Sequence, residues 1–152
     1  MKITPYSQAF LGFALCFLFA CGDAGGQGSE SDKTTANTAS IIHEVVQPDD
    51  FERLLTVKED YLLIDVRTPM ELKDGYLSGM THHLDKFDDD FDEKLAKVIT
   101  DKNKPIFVYC GIGGRSAEVC DKLKAMQCKE VYDLDGGIKN WLKKGKNIQK
   151  QS

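Results

Sequence analysis

Short apolar runs alternate with amphipathic segments along the chain from residue 41 onward. Such runs predict β-strands, here IIHEVV (41–46), YLLID (61–65), PIFVYC (105–110) and EVYDL (130–134). YLLID and PIFVYC are compact and apolar, which is typical of strands buried on both faces of a sheet.

Apolar positions between these runs recur at helical spacing. Pro48-Asp49-Asp50 opens the first predicted helix. We also predict one helical turn over 70–74 and helices over 87–99, 116–126 and 138–145. In the 87–99 helix, Phe87 is the first residue of the apolar face. Strands that alternate with helices predict an α/β domain with a parallel sheet and helices on both faces. In such a sheet, functional sites lie beyond the carboxyl ends of the strands.

The first forty residues differ in composition from this domain, which we place at 41–152. Residues 9–20 (AFLGFALCFLFA) are apolar but too short to cross a bilayer as a helix, so residues 1–20 read as a signal peptide. The end of this segment, Leu18 to Cys21, resembles the lipobox of bacterial lipoproteins. That resemblance implies cleavage before Cys21, a lipid on this cysteine, and a domain held outside the cytoplasm at the cell envelope. An ordinary secretory signal and an uncleaved anchor are the alternatives.

Residues 22–40 (GDAGGQGSESDKTTANTAS) contain no aromatic residue and no aliphatic residue larger than alanine. They cannot bury enough apolar surface to offset the entropy of ordering, so residues 21–40 are predicted to be a flexible tether. Removal of residues 1–20 takes the net charge from −4 to −5, because it removes one lysine and no acid. This balance argues against nucleic acid as a partner, and the membrane would be contacted through the lipid alone.

Cys110, Cys120 and Cys128 are the cysteines of the predicted domain. If the intervening segment is helical, Cys120 and Cys128 lie about 12 Å apart along its axis, which is beyond the reach of a disulfide. We therefore interpret these two as small buried hydrophobes. Cys110 stands apart, because it ends a predicted strand and precedes a loop with few side chains.

The loop after Cys110 is suited to stabilising a thiolate. Gly111, Gly113 and Gly114 allow a tight turn in which successive N–H groups face inward, while Ile112 lies between them. Arg115 adds a positive charge, and a helix predicted to begin at Ser116 directs its positive end at the same point. These features should lower the pKa of Cys110. The alternative is a structural cysteine followed by a glycine-rich turn.

Several motifs in the same order resemble those of the single-domain rhodaneses, a family of sulfurtransferases. They are Asp65-Val66-Arg67-Thr68-Pro69 with Glu71, GYLSG (75–79), VYCGIGGRSA (108–117), and Leu134-Asp135-Gly136-Gly137 with Trp141. The resemblance covers about residues 43–144. It implies a five-stranded parallel sheet flanked by helices, a persulfide on Cys110, and a loop at 111–115 whose amides hold that persulfide. The chain departs from the usual sequence of the family at 76–80 and at His82-His83. We predict that the two histidines are structural or solvent-facing.

The activity implied by the resemblance is transfer of a sulfane sulfur. Thiosulfate or a persulfide would donate it to Cys110, and a thiol or cyanide would accept it. Asp65, Arg67 and Glu71 are predicted to brace the loop, since carboxylate–guanidinium pairs hold backbones well. The sequence contains no metal-ligand set, P-loop or nucleotide fingerprint, so we predict neither a metal nor a cofactor.

Two alternative functions remain open. A cysteine phosphatase or arsenate reductase also uses a cysteine, an amide cradle and an arginine. Those enzymes place five residues between cysteine and arginine, whereas four (111–114) lie between them here, and the shorter ring suits a single sulfur atom better. The other alternative is a non-catalytic rhodanese-like module that binds a partner, carries a persulfide or senses redox state.

Overall fold

The computed structural model describes residues 41–150. Its elements in chain order are β1 (Ile42–Val46), α1 (Pro48–Val57), β2 (Leu62–Asp65), α2 (Pro69–Leu72), β3 (His82–His83), α3 (Phe91–Val98), β4 (Ile106–Tyr109), α4 (Gly114–Ala125), β5 (Glu130–Leu134) and α5 (Gly137–Lys143). The strands form one sheet in the order β1-β5-β4-β2-β3, and every strand pair is parallel. The predicted α/β fold with a five-stranded parallel sheet is confirmed.

Helices cover both faces of the sheet. The central strand β4 alternates its side chains, so that Ile106 and Val108 pack toward α3 and α4 while Phe107 and Tyr109 pack toward α1 and α5. On the second face, Phe107 makes an edge contact with Phe51 at 5.2 Å between ring centroids. Burial of every β4 side chain explains why this run contains no charged residue.

The α3 and α4 boundaries differ from those predicted. The start of α3 at Phe87 is wrong, because the chain makes turns through the preceding aspartates and the helix begins only at Phe91. Phe87 is consequently 70% exposed rather than part of a buried helix face. The start of α4 at Ser116 is also wrong. Gly113 adopts a left-handed conformation with φ of 101°, and the helix begins immediately after it, at Gly114.

The predictions for the signal peptide, the lipid on Cys21 and the tether concern residues outside those that the structure describes. Within residues 41–150, no helix is both long enough and apolar enough to cross a membrane. Cys110, Cys120 and Cys128 are all free thiols.

Candidate active site

Cys110 directly follows β4 at the carboxyl end of the sheet and is fully buried. Its Sγ accepts a hydrogen bond from the Gly113 N–H at 3.1 Å and another from the Ser116 hydroxyl at 3.5 Å. Burial acts to raise the pKa of Cys110, but the Ser116 hydroxyl and the backbone amides of Ser116, Ile112 and Gly113 act more strongly together, so the pKa is lowered. The surroundings of the sulfur therefore favour the thiolate, which is the nucleophilic form of a cysteine.

The first amides of α5 fix the loop from below. The Ile138 N–H donates to the Cys110 carbonyl at 2.9 Å, and the Lys139 N–H donates to the Gly111 carbonyl at 3.1 Å. This approach requires Gly137, whose φ is 60° and whose hydrogen faces the loop; a Cβ there would lie 2.7 Å from the Gly111 carbonyl carbon and would overlap the Cys110 carbonyl oxygen. The Gly136-Gly137 pair, named above only as part of a motif, thus lets α5 dock against the loop.

Arg115 forms a two-pronged ion pair with Glu71 of α2. Its Nη1 and Nη2 donate to the two carboxylate oxygens at 2.7 and 2.6 Å. Hydrogen bonding to Arg115 is the main reason why the pKa of Glu71 falls from 4.5 to about 2. The pair packs closely against the loop: the space beside Gly111 is so narrow that a Cβ there would lie 3.1 Å from Arg115 Nη2. The charge that Arg115 brings to the site is therefore shared with a carboxylate.

Glu71 is itself held by α2. The Thr68 hydroxyl accepts a hydrogen bond from the Glu71 N–H, and the Thr68 N–H donates to the Glu71 carboxylate at 3.0 Å, which together form a capping box. Glu71, predicted to brace the loop, reaches it through Arg115, 44 residues further along the chain.

Asp65 and Arg67 form a buried ion pair beneath α2. Arg67 Nη2 lies 2.6 Å from Asp65 Oδ2 and also donates to the Gly75 carbonyl at 2.7 Å, while Nη1 donates to the Glu71 carbonyl at 3.2 Å. These hydrogen bonds reach α2 and the turn after it rather than the Cys110 loop. Asp65 and Arg67 thus contact the loop indirectly, by positioning the helix that carries Glu71.

Neither histidine of β3 forms a hydrogen bond to Cys110. His83 Nε2 is 2.7 Å from the Arg67 carbonyl, and His82 Nδ1 is 3.0 Å from the Thr81 hydroxyl oxygen. The histidines of β3 are therefore not positioned as bases for the thiol. In the described part of the chain, no cluster of histidine, cysteine and acidic side chains is arranged to hold a metal ion.

Two exposed apolar side chains lie at the loop, one within it and one beside it. Ile112 is 71% exposed within it, and the Phe87 ring lies 5.5 Å from the Arg115 guanidinium carbon in a cation–π arrangement. Sequence reasoning included Ile112 in the loop but assigned Phe87 to the core. No local signal distinguished Phe87 from the buried aromatic positions that follow it.

This fold is that of a known family. Residues 47–144 match the model of the rhodanese-like domain, and the chain belongs to that family. The family expectation drawn from the motifs is confirmed. None of the comparisons concerns the lipoprotein signal, which stays a prediction.

Several relatives have assigned activities. Thiosulfate sulfurtransferase GlpE of Coxiella burnetii is 32% identical over 87 residues, which make up 57% of this chain and 77% of the relative. A protein named sulfurtransferase from Allochromatium vinosum is 27% identical over 69% of this chain and 92% of the relative. The solution structure of the polysulfide-sulfur transferase homodimer from Wolinella succinogenes superposes with a TM-score of 0.59 and 30% identity, over 75% of this chain and 81% of that one.

Other curated relatives are longer than the matching region. The chain spans 59%, 31% and 25% of the length of three of them, an uncharacterised Bacillus subtilis protein, a tRNA uridine(34) hydroxylase of Bdellovibrio bacteriovorus and an adenylyltransferase and sulfurtransferase of Drosophila virilis. The likeness to these proteins is therefore to one domain. Taken together, the comparisons establish a rhodanese-like domain with sulfurtransferase homologues.

Proposed function

We propose that the chain is a sulfurtransferase that moves a sulfane sulfur through a persulfide on Cys110. The observation that carries this proposal is the convergence of the Gly113 amide and the Ser116 hydroxyl on Cys110 Sγ. A sulfur held by such donors is stabilised as an anion, and an added outer sulfur would remain close to the same dipoles.

The reaction takes place in two steps. The Cys110 thiolate attacks the sulfane sulfur of thiosulfate or of a persulfide. A new S–S bond forms to Cys110, and the donor's own S–S bond breaks to release sulfite from thiosulfate or a thiolate from a persulfide. A thiol or cyanide then attacks the outer sulfur, takes it, and returns Cys110 as the thiolate. This double displacement has ping-pong kinetics. Neither step calls for a cofactor.

The ion pair between Arg115 and Glu71 supports a positioning role for both residues in this reaction. Since the two charges neutralise each other in large part, we assign stabilisation of the sulfur mainly to the amides, and stabilisation of the loop to the pair. Asp65 and Arg67 support the same loop at one remove, through α2.

We further propose that the domain acts at the bacterial cell envelope, tethered through a lipid on Cys21. The support for this is the Leu18–Cys21 segment together with the apolar run before it. Cell fractionation with a Cys21→Ala variant tests it: the variant should leave the membrane fraction, and retention there would refute the lipid anchor.

The activity is tested with the purified chain, thiosulfate and cyanide, with thiocyanate as the product measured. Cys110→Ser is expected to abolish turnover, whereas Cys120→Ser is the matched control and should retain it. Mass spectrometry after thiosulfate treatment should find one added sulfur atom on Cys110. Thiocyanate production by Cys110→Ser at the unmodified rate would refute the assignment, and sulfur loading without turnover would indicate a persulfide carrier instead.

A further inference from the structure

Asp133 is a buried acid behind the Cys110 loop. It lies on β5 beside Val108 of β4, two residues before the cysteine, and its side chain is directed toward α4. The residue is only 4% exposed. Its Oδ1 is the one buried side-chain oxygen or nitrogen of residues 41–150 without a hydrogen-bond partner. Burying a carboxylate oxygen without a hydrogen-bond partner costs free energy, and buried polar atoms without a partner are rare in folded proteins.

Asp133 lines an open cleft of about 210 Å³ on the surface of the domain. Side chains of β1, β5 and α4 line it, and the titratable or charged ones besides Asp133 are His43, Glu44, Cys120, Asp121 and Lys124. Burial raises the pKa of Asp133 to about 6, the Ser116 hydroxyl acts in the opposite direction, and the charge of Asp135 adds to the increase. The carboxyl is thus placed where a proton can reach it from solvent.

Ser116 connects this carboxyl with the nucleophile. The serine is fully buried, and its hydroxyl lies 3.0 Å from the Gly113 carbonyl and 3.5 Å from Cys110 Sγ. The same hydroxyl is close enough to Asp133 to lower its pKa. A serine hydroxyl has a single proton to donate. Asp133, the Gly113 carbonyl and Cys110 Sγ therefore compete for this proton, and a hydrogen bond given to Asp133 is lost to the other two.

We propose that Asp133 is a positioning residue that acts through the Ser116 hydroxyl to set how strongly the Cys110 thiolate is stabilised. When Asp133 is ionised, it attracts the Ser116 proton away from Sγ. When Asp133 is protonated, its own O–H donates to Ser116 Oγ, and the Ser116 O–H is free to donate to Sγ. The proton on Asp133 is exchanged with solvent through the cleft, and no covalent bond other than O–H changes.

The expected effect on the thiolate has a definite sign. As the pH rises through the titration of Asp133, the carboxylate draws the Ser116 hydrogen bond away from Sγ, and the pKa of Cys110 rises. The pH dependence of Cys110 reactivity should therefore show an inflection near pH 6 in addition to the titration of the thiol itself. Removing the charge should abolish that inflection and lower the pKa of Cys110.

The test is the rate of Cys110 alkylation by iodoacetamide as a function of pH, followed by mass spectrometry of the peptide that contains Cys110. Asp133→Asn removes the charge and retains a side chain that can donate to Ser116. We expect the inflection near pH 6 to disappear. We also expect the pKa of Cys110 to fall, so that the thiolate fraction below that pKa rises about threefold to tenfold. Asp121→Asn, which removes an exposed acid from the same cleft, is the matched control and should leave the curve unchanged.

Ser116→Ala provides the second arm of the test. Without the hydroxyl, the coupling is broken, so the Ser116→Ala variant should lack the inflection, and adding Asp133→Asn should then change little. An inflection that persists in either single variant, or an equal shift in Asp121→Asn, would overturn the proposal. If Asp133→Asn does not fold, the Ser116→Ala curve decides alone. Alkylation involves no sulfur donor, so the result is separate from the success or failure of the sulfurtransferase assignment.

Discussion

Arg115 and Glu71 are joined by two parallel hydrogen bonds of 2.7 and 2.6 Å between a guanidinium and a carboxylate. The pair links the loop that follows β4 to the short helix that follows β2. Because a planar guanidinium and a carboxylate match in geometry, such a pair fixes orientation as well as distance. The Cys110 loop is therefore held from above by a side chain and from below by the first amides of α5.

The first prediction concerns this pair. Glu71→Gln keeps the shape and the helix cap but removes the charge, so we expect the loop to be less well ordered and kcat/KM for sulfur transfer to fall about tenfold. The loss of unfolding free energy should be only about 0.5–1 kcal/mol, because the pair is partly exposed. Steady-state kinetics and urea unfolding measure both. Glu118→Gln, which breaks the exposed pair with Lys86, is the control and should change neither quantity; a similar loss of activity there would contradict the role of Glu71.

The pH dependence of stability should carry the signature of Glu71. Its pKa is lowered from 4.5 to about 2 in the folded chain, chiefly by Arg115, so the folded state binds this proton less readily than the unfolded state. The resulting stabilisation is fully present above pH 4.5 and is lost as the pH falls toward 2. Between pH 4.5 and 2, the unfolding free energy should therefore decrease more steeply with falling pH in the natural chain than in the Glu71→Gln variant. Identical slopes would show that the pair does not persist in solution.

Docking of α5 against the loop should make Gly137 intolerant of any side chain. Gly137→Ala introduces a Cβ into the Cys110 and Gly111 carbonyl groups and also strains a positive φ, so we expect a loss of about 2–4 kcal/mol in unfolding free energy and of most activity. Gly145→Ala is the matched control, because φ there is 74° but no atom lies within 4 Å of the new Cβ. The control should lose about 1 kcal/mol, the cost of the backbone strain alone.

The buried pair of Asp65 and Arg67 gives a prediction about stability. Arg67→Met leaves the Asp65 carboxylate buried without its cation, and we expect a loss of about 3–5 kcal/mol in unfolding free energy. Arg53→Met, which removes an exposed pair with Asp50, should cost less than about 1 kcal/mol. Because the double change Asp65→Asn with Arg67→Met leaves no charge unpaired, it should be less destabilising than Arg67→Met alone. A milder effect of Arg67→Met than of Arg53→Met would contradict the bracing role.

Local patterns were sufficient to predict most of the scaffold. The apolar runs correspond to β1, β2, β4 and β5 to within a residue at each end, because strand positions that face a core, all of those in β2 and β4 and part of those in β1 and β5, are mostly apolar. Errors occurred where the pattern was ambiguous. Phe87 and Phe91 both fit helical spacing, but only tertiary packing decided that Phe91 would be buried and Phe87 exposed beside Arg115.

The sequence by itself determined the class of fold, the place of Cys110 at the end of a strand, and the need for glycines around it, since these depend on periodicity and on conformations available near one point in the chain. The motif resemblance pointed to Glu71 as a brace for the loop. The tertiary structure alone decided the rest: Arg115 is the partner of Glu71, α5 lies beneath the loop, and Asp133 lies behind Ser116. The physical reason is that parallel strands bring their carboxyl ends to one edge regardless of their separation in sequence. Side chains that no local pattern relates therefore become neighbours.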